Sequence, residues 1–273
     1  MDLSAALSLL AGDPCAPLDI AEVALQLARD EYPHLDVEAY LHEIAGMAHE
    51  ARALLHGDLE AKVRGLCRYL FHDMGFRGNT QAYYDARNSY FNDVLDRRTG
   101  IPITLSAVAM AVGSRAGLQV VGVGLPGHFV VKAIEGGDEV LFDPFHGGRR
   151  LTPGECETLV EQVTGSPFTA SAEALRGVPL GAMVVRMLTN LKGVYLREGD
   201  FGRAVRVIER LRQLVPGDAL QERDLGAALF QAERHGSAIG PLSAYLRLVP
   251  QAQDRDQVLK LIALAKAQVA RWN

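Results

Sequence analysis

The sequence predicts an α+β protein that is mostly helical, with a buried helix on a small antiparallel sheet and a helical array after it. Three observations support this prediction. Residues 102–116 are small and apolar almost all round, which is typical of a helix buried on most faces. The runs LQVVGVGL, FVVKAI and EVLFDPF that follow are rich in Val and aromatic residues, as strands are. From residue 181 onward the pattern repeats with a period of 34 residues.

The elements before this core are expected to be helical, and short polar residues mark where they begin. Asp2 or Ser4 can cap a first helix, because a side-chain oxygen there accepts a hydrogen bond from an otherwise unpaired N–H. Asp36 can cap DVEAYLHEIAGMAHEARALL, and Asp58 can cap LEAKVRGLCRYLFHD. Asn88 or Ser89 can then cap a short helix, SYFNDVLDRR.

The core elements have equally clear limits. Pro102 is expected at the first position of the buried helix, and Gly117 is expected to end it. Gly136 and Gly137 predict a tight hairpin turn between the last two strands. The sequence from Thr152 predicts one further helix in a connector that runs to about residue 180.

The C-terminal repeat has the spacing of tetratricopeptide repeats, each of which is a pair of helices. Glu233 stands where the first copy has Gly199, so the second copy is less regular. The last segment is expected to be a helix that covers the end of the stack. The matched positions are Leu191, Tyr195, Ala204, Ile208, Leu211 and Pro216 with Leu225, Leu229, Ala238, Leu242, Tyr245 and Pro250.

Composition excludes several classes of protein. Apolar residues make up 48% and charged residues 22% of the chain, as in an ordinary globular protein, and the net charge is -5. This charge favours neither nucleic acid nor anionic membrane as a partner, and no apolar run is long enough for a membrane span. The three cysteines, Cys15, Cys67 and Cys156, are odd in number and far apart, which favours a reducing compartment. We therefore expect a cytoplasmic protein.

Neither internal cysteine is a promising nucleophile. Cys67 shares a helical face with apolar residues and is expected to be a small core residue. Cys156 lies between Glu155 and Glu157, whose charges disfavour a thiolate.

A different set of residues could support nucleophilic catalysis. Ser106 falls in the first turns of the buried helix, His128 at the head of one strand and Asp143 at the end of the next. A hydroxyl, a base and a residue that orients the base form a catalytic triad. Each also has a structural interpretation. The Ser106 hydroxyl can bond back to a carbonyl or serve packing, His128 at a strand start can be a hydrogen-bonded structural residue, and Asp143 can form the turn before Pro144.

No cofactor and no metal are expected. Asp143 and His146 are two potential ligands, and two ligands without a third do not justify a metal site. Residues 75–87, GFRGNTQAYYDAR, break the helical pattern. They predict either an ordered structural loop or the border of a cleft, and the candidate binding residues there are Arg77, Asn79 and Asn88, together with Thr104.

With these motifs in hand, the chain resembles the bacterial SirB-type proteins. The resemblance is carried by GFRGN (75–79), YYDARNSYFNDVLDRRTGIPITLS (83–106), GVGLPGHF (122–129) and DPFHGGR (143–149). It implies a transglutaminase-like domain over 1–175 and tetratricopeptide repeats over 181–273. It also implies a core related to transglutaminases and papain-like enzymes, in which a Cys at a helix N-terminus meets a His and an Asp on adjacent strands.

His128 and Asp143 match the histidine and aspartate of that family, but the nucleophile departs from it. The resemblance implies a Cys about four helical turns before the glycine that ends the helix. Counted back from Gly117, this position falls at residues 102–104, where there is no thiol. The nearest hydroxyls are those of Thr104 and Ser106.

Two hypotheses follow from the missing thiol. In the first, the chain is a non-catalytic module that binds a protein or peptide partner through its cleft and its repeats. In the second, it is an amide-bond hydrolase or acyltransferase that uses Ser106 or Thr104 with His128 and Asp143. The first is favoured.

Overall fold

The computed structural model describes residues 1–271, which divide into two compact units. One unit comprises residues 1–6 and 15–184, and the other comprises residues 7–14 and 185–271. The division at 184/185 lies a few residues after the predicted one. Nothing in the sequence pattern indicated that residues 7–14 group with the C-terminal unit.

Seven α-helices occur before residue 180, and the predicted caps hold three of them. Asp2 Oδ1 accepts a hydrogen bond from the amide of Ala5 at 2.8 Å. Asp58 Oδ1 likewise accepts a hydrogen bond from a backbone amide three residues later, at 2.8 Å. Asp36 caps at 3.1 Å. A π-helical turn, Arg68–Asp73, extends the fourth helix. The helices are α1 Leu3–Gly12, α2 Ile20–Ala28, α3 Val37–Arg52, α4 Leu59–Cys67, α5 Phe91–Arg97, α6 Pro102–Ala116 and α7 Pro153–Thr164.

The predicted cap of α5 is wrong. The helix begins at Phe91 after Tyr90, and no side chain caps it. Asn88 lies before Tyr90, and its side-chain oxygen, the atom that would cap a helix, instead accepts from Asn79 Nδ2 at 3.0 Å, while its Nδ2 donates to the carbonyls of Ala82 and Tyr83 at 2.7 and 3.1 Å. Its side chain holds the preceding loop instead.

Helix α6 is the buried helix that the sequence predicts. It begins at Pro102, ends at Gly117 with φ of 95°, and buries all of its residues except Met110, Ser114 and Arg115. Its near-complete burial explains why its sequence lacks a polar face.

A short parallel pair of strands comes first, β1 Arg77–Gly78 and β2 Thr99–Gly100. The main sheet that follows has four antiparallel strands, each paired with the next one along the chain. Its strands are β3 Gln119–Leu125, β4 His128–Glu135, β5 Asp138–Asp143 and β6 Arg149–Leu151. Helix α6 packs on β3 and β4. The turn at Gly136–Gly137 pairs Glu135 with Asp138, as predicted. This register brings the head of β4 beside the end of β5.

The C-terminal unit is built from paired helices. They are α8 Leu180–Glu198, of which the unit includes residues 185–198, α9 Phe201–Leu214, α10 Ala219–Gln231, α11 His235–Leu248 and α12 Arg255–Ala270. Gly199 and Glu233 both adopt left-handed conformations, with φ of 74° and 60°. The two copies therefore turn in the same way despite their different residues. The last helix, α12, packs on α11 as expected.

Candidate functional site

The structure brings His128 and Asp143 together. His128 is the first residue of β4, Asp143 is the last of β5, and His128 Nε2 lies 2.8 Å from Asp143 Oδ2. Both side chains are buried, with exposures of 4% and 1%. The pairing is the one expected from the sequence, while a catalytic role for either residue stays a prediction.

Asp143 also forms the turn that follows it. Its other oxygen, Oδ1, accepts hydrogen bonds from the amides of Phe145 at 2.9 Å and His146 at 3.4 Å. These bonds cap the 3₁₀ turn Pro144–His146. Asp143 therefore fits both interpretations. It forms the turn through Oδ1 and pairs with His128 through Oδ2.

A second imidazole reaches the same carboxylate oxygen. His146 Nδ1 lies 2.7 Å from Asp143 Oδ2, and the rings of His128 and His146 stack at 5.7 Å between centroids with an interplanar angle of 26°. Burial favours the neutral form of Asp143, but hydrogen bonds and charge from the two histidines outweigh it and hold the pKa of its carboxyl below its usual value.

The expectation of only two potential metal ligands at this point is wrong. Ligand atoms of His128, Asp143 and His146 all lie within 4.8 Å of one another. The third ligand, His128, comes from the neighbouring strand, and the hairpin register that places it beside the end of β5 is the sequence signal for it.

The two candidate nucleophiles differ in their surroundings. Thr104 is fully buried, and its hydroxyl donates to the carbonyl of Asn88 at 2.7 Å and accepts from the amide of Ile101 at 3.1 Å. Ser106 is fully buried as well, and its hydroxyl has no hydrogen-bond partner among the described residues. It bonds neither to His128 nor back to a carbonyl, so of the two structural roles expected for Ser106 the fully buried side chain fits packing.

The loop before α5 is held by an asparagine pair. Asn79 Nδ2 donates to Asn88 Oδ1 at 3.0 Å, and Asn79 Oδ1 accepts from the amide of Ala82 at 2.9 Å. Asn88 has no exposed surface. These bonds favour the structural interpretation of the loop, and the buried positions of Asn88 and Thr104 do not support their predicted contact with a ligand.

The loop also borders a cleft, so the second interpretation holds in part. A cleft of about 660 Å³ is lined by Arg77, Asn79, Arg87, Arg97 and the Asp85 carboxylate, among others. Asp85 pairs with Arg87 at 2.7 Å and lies 3.8 Å from Arg97. The lining of this cleft thus contains three Arg residues and one carboxylate residue.

A second cleft, of about 380 Å³, lies beside two members of the His–Asp cluster. Asp143 and His146 line it together with residues of β6 and α7. The predicted binding residues and the predicted catalytic residues therefore line different clefts. Arg77 and Asn79 face the first cleft, and Asp143 faces the second.

The internal cysteines are poor nucleophiles, as expected. Burial raises the pKa of Cys67 to about 12. Burial, with the charges of Glu155, Asp143 and Glu157, raises the pKa of Cys156 to about 11. Cys67 packs against the turn after His146, where a Cβ on Gly148 would lie 2.6 Å from its sulfur.

Comparison with known proteins places this core in a family. The model of the transglutaminase-like superfamily matches residues 38–189, which is more than half of the chain. The chain belongs to the transglutaminase-like superfamily. A tetratricopeptide repeat model matches residues 191–263. The predicted combination of a transglutaminase-like domain and tetratricopeptide repeats is therefore confirmed.

Similar proteins occur in bacteria and in mammals. A UPF0162 protein of Xylella fastidiosa (strain 9a5c) is 35% identical over 246 residues, covering 88% of each chain. A UPF0162 protein of Vibrio cholerae is 27% identical over 85% of this chain and 87% of that protein. F-box only protein 21 of Mus musculus is 34% identical over 56% of this chain and 25% of that protein. The bacterial relatives are consistent with the SirB-type resemblance.

The described helices include none with the combination of length and apolar character that crossing a bilayer requires.

Proposed function

We propose that this transglutaminase-like protein binds a protein or peptide partner and does not catalyse acyl transfer through a side-chain nucleophile. The observation that carries the proposal is the state of the two hydroxyls nearest the expected thiol position. Thr104 is engaged by Asn88 and Ile101, and Ser106 makes no hydrogen bond to His128. A hydroxyl needs such a bond to its base in order to become a nucleophile.

The first cleft supports a partner of acidic character. Arg77, Arg87 and Arg97 exceed the single carboxylate of Asp85 there, and Arg side chains recognise carboxylates through paired hydrogen bonds. Tyr83 and Tyr84 on the same loop are 37% and 52% exposed. Exposed aromatic and Arg side chains are enriched in protein interfaces.

The repeats support the same role. Tetratricopeptide-type helix pairs form extended surfaces on which peptides and partner helices bind. The match of the repeat model to residues 191–263 assigns this architecture to the C-terminal unit.

The test measures binding of fluorescent acidic peptides, with basic peptides of equal length as the comparison. We expect Arg77→Glu to weaken binding of acidic peptides at least about tenfold, with a strong dependence on salt. Arg64→Glu is the matched control, because Arg64 is 70% exposed on α4 and lines neither cleft described above. Equal affinities for the two variants would contradict the role of the cleft. A partner isolated from cells should also be lost when residues 181–273 are deleted.

The alternative is amide-bond hydrolysis or acyl transfer with Ser106 or Thr104, His128 and Asp143. The intact hydrogen bond between His128 and Asp143 is the observation that favours it. Wild type and His128→Ala are therefore compared in amidase, peptidase and deamidase assays. Turnover that disappears in His128→Ala and in Ser106→Ala would refute the non-catalytic proposal.

A further inference from the structure

We propose that His128, Asp143 and His146 form a divalent metal site that binds Zn²⁺. The proposal does not depend on partner binding, and it uses a residue, His146, that a His–Asp catalytic pair does not need. It begins from an unusual arrangement, in which two imidazole nitrogens point at one carboxylate oxygen, at 2.8 and 2.7 Å.

The donor set matches zinc chemistry. Zinc sites with an open position commonly use three protein ligands, of which two imidazoles and one carboxylate are a known combination. All three ligand atoms lie within 4.8 Å of one another. At metal–ligand distances of about 2.0–2.1 Å, neighbouring ligand atoms sit about 3.3 Å apart. An ion at the centre of the cluster therefore requires each nitrogen to move about half an ångström further from Asp143 Oδ2, and the two nitrogens to lie about 3.3 Å from each other.

The surroundings hold the side chains of His128 and Asp143 in place, whereas the side chain of His146 is partly exposed. His128 and Asp143 are buried on the sheet, and the amides of Phe145 and His146 hold Asp143 Oδ1 in place. Second-shell hydrogen bonds of this kind orient metal ligands. The side chain of His146 is 50% exposed, and Gly147 and Gly148 follow it with φ of 71° and 76°. Because half of the His146 side chain is exposed, its imidazole has room on the solvent side to adjust to an ion.

The cleft of about 380 Å³ provides an entry path and an open coordination position. On binding, each imidazole presents a ring nitrogen without its proton to the ion, and that proton moves to the other ring nitrogen or to water. The carboxylate is already ionised at neutral pH. The site then carries a net positive charge, and water or an anionic group completes the coordination.

The experiment titrates tag-free, EDTA-treated protein with Zn²⁺ by calorimetry and with Co²⁺ by visible absorption. A Cys15→Ser background removes the exposed thiol as an alternative ligand. We expect one ion per chain at micromolar or tighter affinity, and cobalt bands typical of a four- or five-coordinate site with nitrogen and oxygen ligands. His146→Ala should weaken binding at least about a hundredfold, and Asp143→Asn, which keeps a side-chain oxygen as an acceptor for the turn, should also weaken it.

The matched control is a second His–Asp pair in the same unit. His72 Nδ1 lies 2.8 Å from Asp73 Oδ1, but His72 is 84% exposed and belongs to no three-ligand cluster among the described residues. His72→Ala should bind Zn²⁺ like wild type. Absence of binding to wild type, or equal binding by His146→Ala and His72→Ala, would overturn the proposal. Circular dichroism establishes that each variant is folded, and exposed His146 is the position least prone to disturb the fold.

Discussion

Replacing Thr104 with Val is predicted to destabilise the protein, whereas replacing Ser106 with Ala, on the same helix, is not. Both side chains are fully buried, so exposure does not distinguish them. Val has nearly the shape of Thr, so Thr104→Val removes the hydroxyl without leaving a cavity. The lost group is the partner of the Asn88 carbonyl and the Ile101 amide.

The size of the effect follows from those two bonds. Asn88 and Ile101 are 0% and 3% exposed, so water cannot readily replace the hydroxyl. A buried group left without a partner costs about 1–3 kcal/mol. Two such groups are left, so Thr104→Val is expected to lower the free energy of unfolding by about 2–6 kcal/mol. Ser106 loses no hydrogen bond on replacement by Ala, and removal of an unpaired buried hydroxyl is expected to change stability by about 0 to +1 kcal/mol.

Thermal unfolding followed by circular dichroism measures both changes. One kcal/mol corresponds to about 2–4 °C for a unit of 150–250 residues, so Thr104→Val should lower the melting temperature by at least about 4 °C. Thr104→Ser, which keeps the hydroxyl, is the control and should retain more stability than Thr104→Val. Equal melting temperatures for the Val and Ser variants would refute the structural role of the hydroxyl. A Ser106→Ala variant destabilised by more than about 1 kcal/mol would show that Ser106 makes a stabilising bond in solution.

Three further predictions concern other parts of the chain. Glu233→Gly should raise the free energy of unfolding of the repeat unit by about 0.5–1 kcal/mol, because φ at this position is 60°, and urea titration measures this. Gly226→Ala should destabilise the same unit by about 1–3 kcal/mol, since a Cβ there would lie 2.4 Å from a side-chain carbon of the facing helix. Gly193→Ala, with nothing within 4 Å, should be neutral or stabilising in the same titration, and a ranking in the reverse order would contradict the packing described. Iodoacetamide at pH 8 should label exposed Cys15 well before half-buried Cys67, because a pKa of about 12 keeps Cys67 a thiol at that pH. Peptide mass spectrometry reports the order of labelling, and rapid labelling of Cys67 would contradict its raised pKa.

Local sequence signals were sufficient for most of the core. Pro102 and Gly117 set the limits of α6 because each has a backbone preference that few other residues share. The hairpin at Gly136–Gly137 fixed the register of β4 and β5, and with it the meeting of His128 and Asp143. These features depend on short-range geometry, which a sequence expresses directly.

Features that depend on contacts between distant segments could not be predicted in the same way. The Thr104 hydroxyl bonds to a carbonyl 16 residues away, and helical periodicity says nothing about such a partner. Asn88 fits a helix cap by residue type, but its amide is taken by the loop before it. The separation of the cleft at Arg77 from the cleft at Asp143 results from packing that no motif describes.

The two oxygens of Asp143 have an implication for how relatives of this chain are interpreted. One oxygen shapes the backbone after β5, and the other holds both imidazoles. A correctly folded turn alone is then enough to require an acceptor side chain at this position. An aspartate at this position in a newly sequenced relative is therefore a marker of the fold first.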